Sequence, residues 1–306
     1  MNEIVSRMVN TQMLLFLYMF CGFCISRAGI IREDNRTVLV RLLMDVAMPM
    51  MVLDAFNRPT KREEILSSVW VIVISLLGCV ITGLIGLMLW KNQPENRKKV
   101  LMYASMFSNA GNAGLPIISL VFGPVGVFYA SMYLIPPRIL QWTVGLGLFV
   151  KPEKGGWVKN VLLNPMVVMI YIGAFLMATQ WQIPGVFGTA ISNLGDMTAP
   201  LSMILIGATL AHIDWKMLMD RSVMVTSLFR LIVFPLLFAV ALKLCRVDEL
   251  TMNICVILLA MPVASNTAAM AERYGGDYVF ASACVSVSTL LSILTVPVIT
   301  WFIQQI

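Results

Sequence analysis

Long, uninterrupted apolar stretches alternate with short polar or charged segments along the whole chain of 306 residues. Each stretch is close to the ~20 residues that a helix needs to cross the hydrocarbon core of a bilayer. The predicted spans are residues 9–26, 37–56, 67–90, 99–121, 125–149, 157–179, 188–211, 222–245, 251–271 and 278–303. Because the stretches are continuously apolar and not alternating, they predict helices, and they exclude the strands of a membrane barrel.

Composition supports this interpretation, since 59% of the residues are hydrophobic and only 12% are charged. A soluble domain has roughly 25% charged residues, and a soluble chain this apolar would expose large apolar patches. The sequence therefore predicts an all-α membrane protein of ten transmembrane helices, with the lipid bilayer as its surroundings. The net charge of +6 lies in short clusters between the spans, which is typical of membrane topology and argues against a nucleic-acid partner.

The distribution of Lys and Arg predicts the orientation. Connections on one side of the predicted bundle carry most of these residues, and the more basic side is the cytoplasmic one. This places both termini outside, extracellular or periplasmic, and the connection between the fifth and sixth spans inside. The sequence thus predicts a multi-pass protein of the cytoplasmic membrane.

Two short patterns recur in the two parts of the chain. Asp45-Val-Ala-Met-Pro49 in the second span matches Asp196-Met-Thr-Ala-Pro200 in the seventh, and mid-span prolines occur at Pro116 and Pro262. Five spans in each half is an odd number, so the second half enters the membrane in the opposite direction, as an inverted repeat. The predicted halves are residues 1–150 and 151–306.

The fourth span contains Ser108-Asn-Ala-Gly-Asn-Ala-Gly-Leu-Pro116, an unusually polar stretch at mid-membrane depth. Pro116 lacks an N–H group and its ring clashes with the preceding turn, so it predicts a break in the helix. The amides of Asn109 and Asn112 need partners in protein or water, since lipid supplies none. A proline-kinked packing helix with small residues at a helix contact is the alternative.

The ninth span repeats this combination in Ala260-Met-Pro262-Val-Ala-Ser265-Asn266-Thr267. Interrupted helices at corresponding places in two halves indicate a transporter site, and the N-termini of half-helices favour an anion. The amides of Asn112 and Asn266 can donate to carboxylate oxygens. The predicted substrate-binding residues are Asn109, Asn112, Pro116, Pro262, Ser265, Asn266, Arg138 and Gln141.

Charged residues inside the spans are further candidates. Arg138, with Gln141 one turn on, can bind a carboxylate through two parallel hydrogen bonds, or it can serve as a structural pair or interface anchor. Arg230 at membrane depth costs about 2.5–3.5 kcal/mol, so it needs a partner, such as Asp45, Asp196 or the substrate, unless it extends to the interface. Asp45 and Asp196 are candidates for proton or cation coupling, or for pairing near helix ends.

The chain offers little catalytic chemistry. Its single histidine, His212, ends a predicted span, and no spacing of His, Cys and acidic residues is typical of a metal site. We therefore expect no enzyme activity, no cofactor and no metal.

Three segments resemble the auxin efflux carrier family: Gly114-Leu-Pro-Ile117, Ala260-Met-Pro-Val263 and Arg230-Leu-Ile-Val-Phe-Pro235. The resemblance covers essentially the whole chain. It implies ten helices in a five-plus-five inverted repeat, both termini outside, and broken helices 4 and 9 that cross at Pro116 and Pro262 beside the substrate. It also implies weak organic acids, such as auxin, malate or malonate, as substrates. Arg138 matches no motif of the family, and its predicted role rests on chemistry alone.

Together these observations predict a secondary transporter that moves a small organic anion by alternating access. Two alternatives are a sodium-coupled organic-anion symporter of related fold and a membrane sensor module that does not transport. A homodimer, and coupling to protons or sodium, are left open by the sequence.

Overall fold

The computed structural model describes residues 3–58, 62–149, 163, 165–211 and 220–306. Regular secondary structure in these residues is entirely helical, which confirms the predicted class. The helices are α1 Glu3–Arg27, α2 Glu33–Leu42, α3 Met48–Phe56, α4 Arg62–Leu89, α5 Glu95–Met106, α6 Leu115–Leu140, α7 Pro165–Thr179, α8 Gly185–Asp196, α9 Thr198–Leu210, α10 Arg221–Leu228, α11 Phe234–Leu244, α12 Glu249–Leu259, α13 Asn266–Tyr274 and α14 Tyr278–Ile303. The predicted boundary between residues 150 and 151 lies outside the described residues.

Several helices have the length and composition to cross a membrane. Within the described residues, four helical stretches qualify by both criteria: Glu63–Leu89, Ala110–Gly145, Arg221–Leu244 and Tyr278–Ile303. Shorter apolar helices cover Met13–Arg27, Val167–Thr179 and Glu249–Leu259. Large apolar side chains such as Met88 and Val186, which are 79% and 83% exposed, point outward where lipid would cover them. The chain is a multi-pass membrane protein.

The stretch Ala110–Gly145 is 36 residues long, well beyond the ~20 residues of one crossing. Its helix α6 turns at Gly123, where φ is +62° and ψ is −156°. Only glycine adopts this conformation without strain. This residue falls in the gap between the fourth and fifth predicted spans, so the helix is kinked at the position where hydropathy predicts a connection.

The two Asp-x-x-x-Pro patterns lie at interruptions of helical geometry. Asp45 lies in a π-helical turn, Leu43–Ala47, between α2 and α3, and Pro49 occupies the first turn of α3. Asp196 ends α8, and α9 begins two residues later at Thr198. In each motif the proline has no N–H to donate to the carbonyl of the aspartate four residues earlier, which explains why regular helical hydrogen bonding is interrupted there.

The helices form two groups that pack against each other. In the first group, α1 and α2 pack on α9, and α3 packs on α7 and α8. The second group contains the remaining long helices, with α4 against α5 and α6, and α10 and α13 against α14. Glycines allow the closest approach in the first group, since a side chain at Gly22 would collide with the main chain of Ile204, and one at Gly207 with that of Met19. Such small-residue contacts are the usual means of tight helix packing in lipid.

Candidate functional site

The helix of the fourth predicted span is broken before its proline. α5 ends at Met106, Phe107 is extended with φ −115° and ψ 122°, and helical structure resumes at Ala110. Pro116 follows the π-helical turn Ala110–Gly114 and lies inside the continuous helical stretch Ala110–Gly145. The expectation that Pro116 marks the break and the crossing point is therefore wrong, because the break falls at residues 107–109.

The break in the ninth predicted span does contain its proline. α12 ends at Leu259 and α13 begins at Asn266, so residues 260–265 connect two half-helices. Pro262 lies inside this connection and is buried. The two prolines thus hold different places in their helices, and their apparent correspondence in the sequence does not reflect equivalent geometry.

The two breaks contact each other through a pair of main-chain hydrogen bonds. The N–H of Asn109 donates to the carbonyl of Pro262 at 2.8 Å, and the N–H of Ala264 donates to the carbonyl of Phe107 at 3.1 Å. Side chains bond further main-chain groups, since the Ser108 hydroxyl donates to the Leu258 carbonyl at 3.0 Å. The Val263 N–H donates to the Ser288 hydroxyl at 3.0 Å. These main-chain groups are thus satisfied by the other break or, for the Val263 N–H, by α14, as burial away from water requires.

A cavity of about 340 Å³ opens beside this crossing, between the two groups of helices. Arg36, Val40, Leu43 and Met44 from the region of α2, and Ser202, Leu205 and Ile206 from α9, form one wall. The opposite wall consists of Ser108, Asn109, Gly111, Asn112, Leu134, Pro137, Arg138, Gln141, Ala264, Ser265 and Asn266. All predicted substrate-binding residues except Pro116 and Pro262 line the cavity.

Polar side chains connect the two interrupted helices at the cavity wall. The Asn112 amide donates to the Ser265 hydroxyl at 2.9 Å. The Asn266 amide donates to the Tyr103 hydroxyl at 3.0 Å and to the Gln141 side-chain oxygen at 3.2 Å. Asn266 therefore connects α13 to both α5 and the turn that follows α6. This network holds several amide groups in fixed positions around a space large enough for a small molecule.

The charge of the cavity wall is positive. Arg36 and Arg138 line it, whereas no Asp or Glu is among the described residues that do. Arg138 lies close to the first break, because a Cβ atom at Gly111 would be 3.0 Å from its Nη2. The helix N-termini that follow both breaks, at Asn109 and Ser265, also face the cavity and add partial positive charge. An anion is the ligand that this arrangement favours.

Arg36, Ser108, Gly111 and Ser202 line the cavity but were not among the predicted site residues. Arg36 precedes a predicted span, where hydropathy assigns a basic residue to the membrane interface. Ser108 belongs to the polar stretch of the fourth span, which was a usable signal. Ser202 sits in an ordinary apolar run and carries no distinguishing pattern.

Arg230 does not line the cavity. Its side chain is buried, with 1% exposure, and its nitrogens bond the main-chain carbonyls of Ser105 at 2.9 Å, Leu259 at 3.0 Å and Met261 at 3.4 Å. The predicted ion pair with Asp45 or Asp196 is not formed, because the guanidinium group is directed at the ends of α5 and α12. Both carboxylates are instead exposed at their helix interruptions.

A chain with apolar helices, two interrupted helices that touch, and a polar cavity at their contact defines a multi-pass membrane transport protein. It belongs to the family described as "Membrane transport protein", whose model matches residues 8–161 and 156–300. This is the family of the auxin efflux carriers, so the resemblance found in the sequence is confirmed.

Similar proteins carry transporter names. An "Uncharacterized transporter" of Methanothermobacter thermautotrophicus is 25% identical over 94% of this chain and 96% of its own length. A protein of Rhizobium meliloti named "Putative malonate transporter" is 22% identical over 66% of each chain. The "Uncharacterized transporter YfdV" of Escherichia coli is 20% identical over 92% of this chain and 93% of its own. The family and these relatives are transporters and not enzymes.

Proposed function

We propose that this protein is a secondary transporter that carries a small carboxylate across the cell membrane by alternating access. The observation that carries the proposal is the cavity of about 340 Å³ at the contact of the two interrupted helices, with Arg36 and Arg138 in its wall. The relative named for malonate supports a short organic anion as the substrate class.

Electrostatics favour a carboxylate over a neutral or cationic guest. Each helix N-terminus acts as roughly half a positive charge, and these two face the cavity together with the guanidinium groups. The Asn112 amide lies at the wall, and its bond to Ser265 uses only one of its two N–H groups. A carboxylate accepts such donors well, and a bidentate arginine contact adds geometric selectivity.

The position of the cavity between two helix groups supports alternating access. Rotation of the group that contains α2 and α9 against the group that contains both breaks would expose the cavity to one side and then to the other. We further propose that the full chain has ten spans in two inverted halves, residues 1–150 and 151–306, with both termini outside. The distribution of Lys and Arg along the chain and the family to which it belongs support this arrangement.

The proposal is tested with purified protein reconstituted in liposomes, by measuring uptake of labelled malonate and of other small mono- and dicarboxylates. Wild-type protein should accumulate at least one of them, with competition from unlabelled analogues. Asn112→Ala should lower uptake about three- to tenfold, because it removes a hydrogen bond at the cavity wall. Asn193→Ala is the matched control, since this asparagine is exposed on α8 and does not line the cavity.

Two results would contradict the proposal. Equal uptake by wild type and Asn112→Ala would place the substrate elsewhere. Binding of a carboxylate without flux in any gradient would indicate a sensor module in place of a carrier.

A further inference from the structure

The interrupted helices expose two kinds of ends to two different places. The N-termini that follow the breaks, near Asn109 and Ser265, face the cavity. The C-terminal carbonyls that precede the breaks, from Ser105 and Leu259, converge on the guanidinium group of Arg230. The crossing is therefore polarised, with its positive ends toward the proposed anion site and its negative ends toward a buried arginine.

The charges balance at the negative side. Each helix C-terminus carries roughly half a negative charge, and α5 and α12 contribute two of them, for a total of about one. Arg230 supplies one positive charge at hydrogen-bond distance from both ends. No ion pair of Arg230 with an acidic side chain occurs among the described residues, so the helix ends are its counter-charge.

Carbonyl oxygens from unwound helices and half-helix C-termini are also the groups by which secondary transporters coordinate a coupling cation. At this crossing the place that such a cation would take is occupied by the side chain of Arg230, which extends from the π-helical turn Phe229–Val233. A soluble cation would need to displace a guanidinium group that makes three hydrogen bonds in a dry interior, which is strongly unfavourable.

We propose that Arg230 is a tethered cation that takes the place of a coupling ion at the crossing, so that transport needs no sodium or other metal cation there. Arg230 is a positioning residue in this role: it holds the two half-helices together and neutralises their negative ends, which leaves the positive ends to act on the substrate. The inference rests on the proposed transport function.

The test is chemical rescue of Arg230→Ala in reconstituted protein. Wild-type malonate uptake should be unchanged when sodium is replaced by choline. Arg230→Ala should lower uptake about tenfold or more, since it removes charged hydrogen bonds and leaves buried carbonyls unpaired. Millimolar guanidinium ion should restore uptake at least threefold over the unrescued variant, whereas urea, which has a similar planar shape and no charge, should not.

The melting temperature of the same proteins in detergent gives a second readout that does not depend on transport. Guanidinium ion at the same concentration should raise the melting temperature of Arg230→Ala by several degrees and leave wild type unchanged or slightly lower. Arg230→Lys, which keeps the charge, should retain more uptake than the neutral Arg230→Met. If the alanine variant does not fold, this pair tests whether a positive charge is needed at position 230.

The outcomes separate the two proposals. Absence of carboxylate uptake by wild type would overturn the transport function, while a guanidinium-specific rise in the melting temperature of Arg230→Ala would still support the tethered cation. Wild-type uptake that requires sodium, equal rescue by urea and guanidinium, or Arg230→Met behaving like Arg230→Lys would each overturn the tethered cation and leave the transport function standing.

Discussion

Arg138 and Arg230 lie on two faces of the same helix crossing, and their surroundings differ in every respect that matters for function. Arg138 is partly exposed in the cavity wall, close to Gly111 and near helix N-termini. Arg230 is enclosed and bonds the carbonyls of helix C-termini. From the sequence both are arginines within apolar spans. We therefore propose that the polarity of the nearest helix end separates an arginine that binds the ligand from one that stabilises the scaffold.

The difference makes a prediction about what each arginine contributes. A side chain that holds two helix ends in a dry interior should affect folding and transport together. A side chain in an open cavity wall should affect transport and leave folding largely intact. Variants of the two arginines therefore test whether one residue stabilises the fold and the other binds the substrate.

The largest effect on stability is expected at Arg230, the enclosed arginine. Arg230→Met removes the charge and leaves the carbonyls of Ser105 and Leu259 without their donor, so the free energy of unfolding should fall by about 3 kcal/mol or more. Thermal or denaturant unfolding in detergent measures this. Stability equal to that of wild type would show that water or other groups satisfy the carbonyls, and the distinction between the two arginines would fail.

The next effect is expected on the cavity face. Arg138→Gln should reduce the efficiency of carboxylate uptake about tenfold or more, because a charged hydrogen bond to the substrate is lost. Its melting temperature should fall much less than that of Arg230→Met. Arg221→Gln is the matched control, since Arg221 is exposed at the start of α10 and does not line the cavity. A large loss of stability in Arg138→Gln with unchanged uptake per folded molecule would reverse the assignment.

A smaller effect is expected at the hydrogen bond between the second break and α14. Ser288→Ala removes the acceptor of the buried Val263 N–H, so it should lower the free energy of unfolding by about 1–2 kcal/mol. Ser292→Ala on the same helix is the control, because the Ser292 hydroxyl bonds the Thr289 carbonyl of its own helix. Equal effects of the two substitutions would mean that the crossing does not depend on this bond.

Much of the fold followed from hydropathy, for a physical reason. Lipid requires a continuous apolar surface, so the stretches predicted at 67–90 and 278–303 correspond to the helices Glu63–Leu89 and Tyr278–Ile303. The amides of Asn109, Asn112 and Asn266 were identifiable because unpaired polarity is costly at membrane depth. The predicted coupling roles of Asp45 and Asp196 stay predictions.

Other features had no sequence signal of the right kind. The first break was predicted at Pro116, but Pro116 lies within helical structure that begins at Ala110, and the chain breaks at residues 107–109. The partners of Arg230 were sought among acids, yet main-chain carbonyls are present at every residue and leave no trace in the sequence. Arg36 precedes a predicted span, where a basic residue usually marks the membrane interface. It lines the cavity because the cavity extends to the start of that span.

The smallest expected effect tests whether the cavity face is pre-organised by its own hydrogen bonds. Tyr103→Phe removes one of two acceptors of the Asn266 amide, and Gln141 keeps the other, so stability should fall by only about 0.5 kcal/mol. Uptake should fall more than stability, by about two- to threefold, because a mobile Asn266 loses orientation toward the substrate. A double-mutant cycle with Asn266→Ala measures the coupling between the two side chains in uptake. Strict additivity would show that the Tyr103 hydroxyl does not orient Asn266, and the cavity face would then owe its geometry to the main-chain crossing alone.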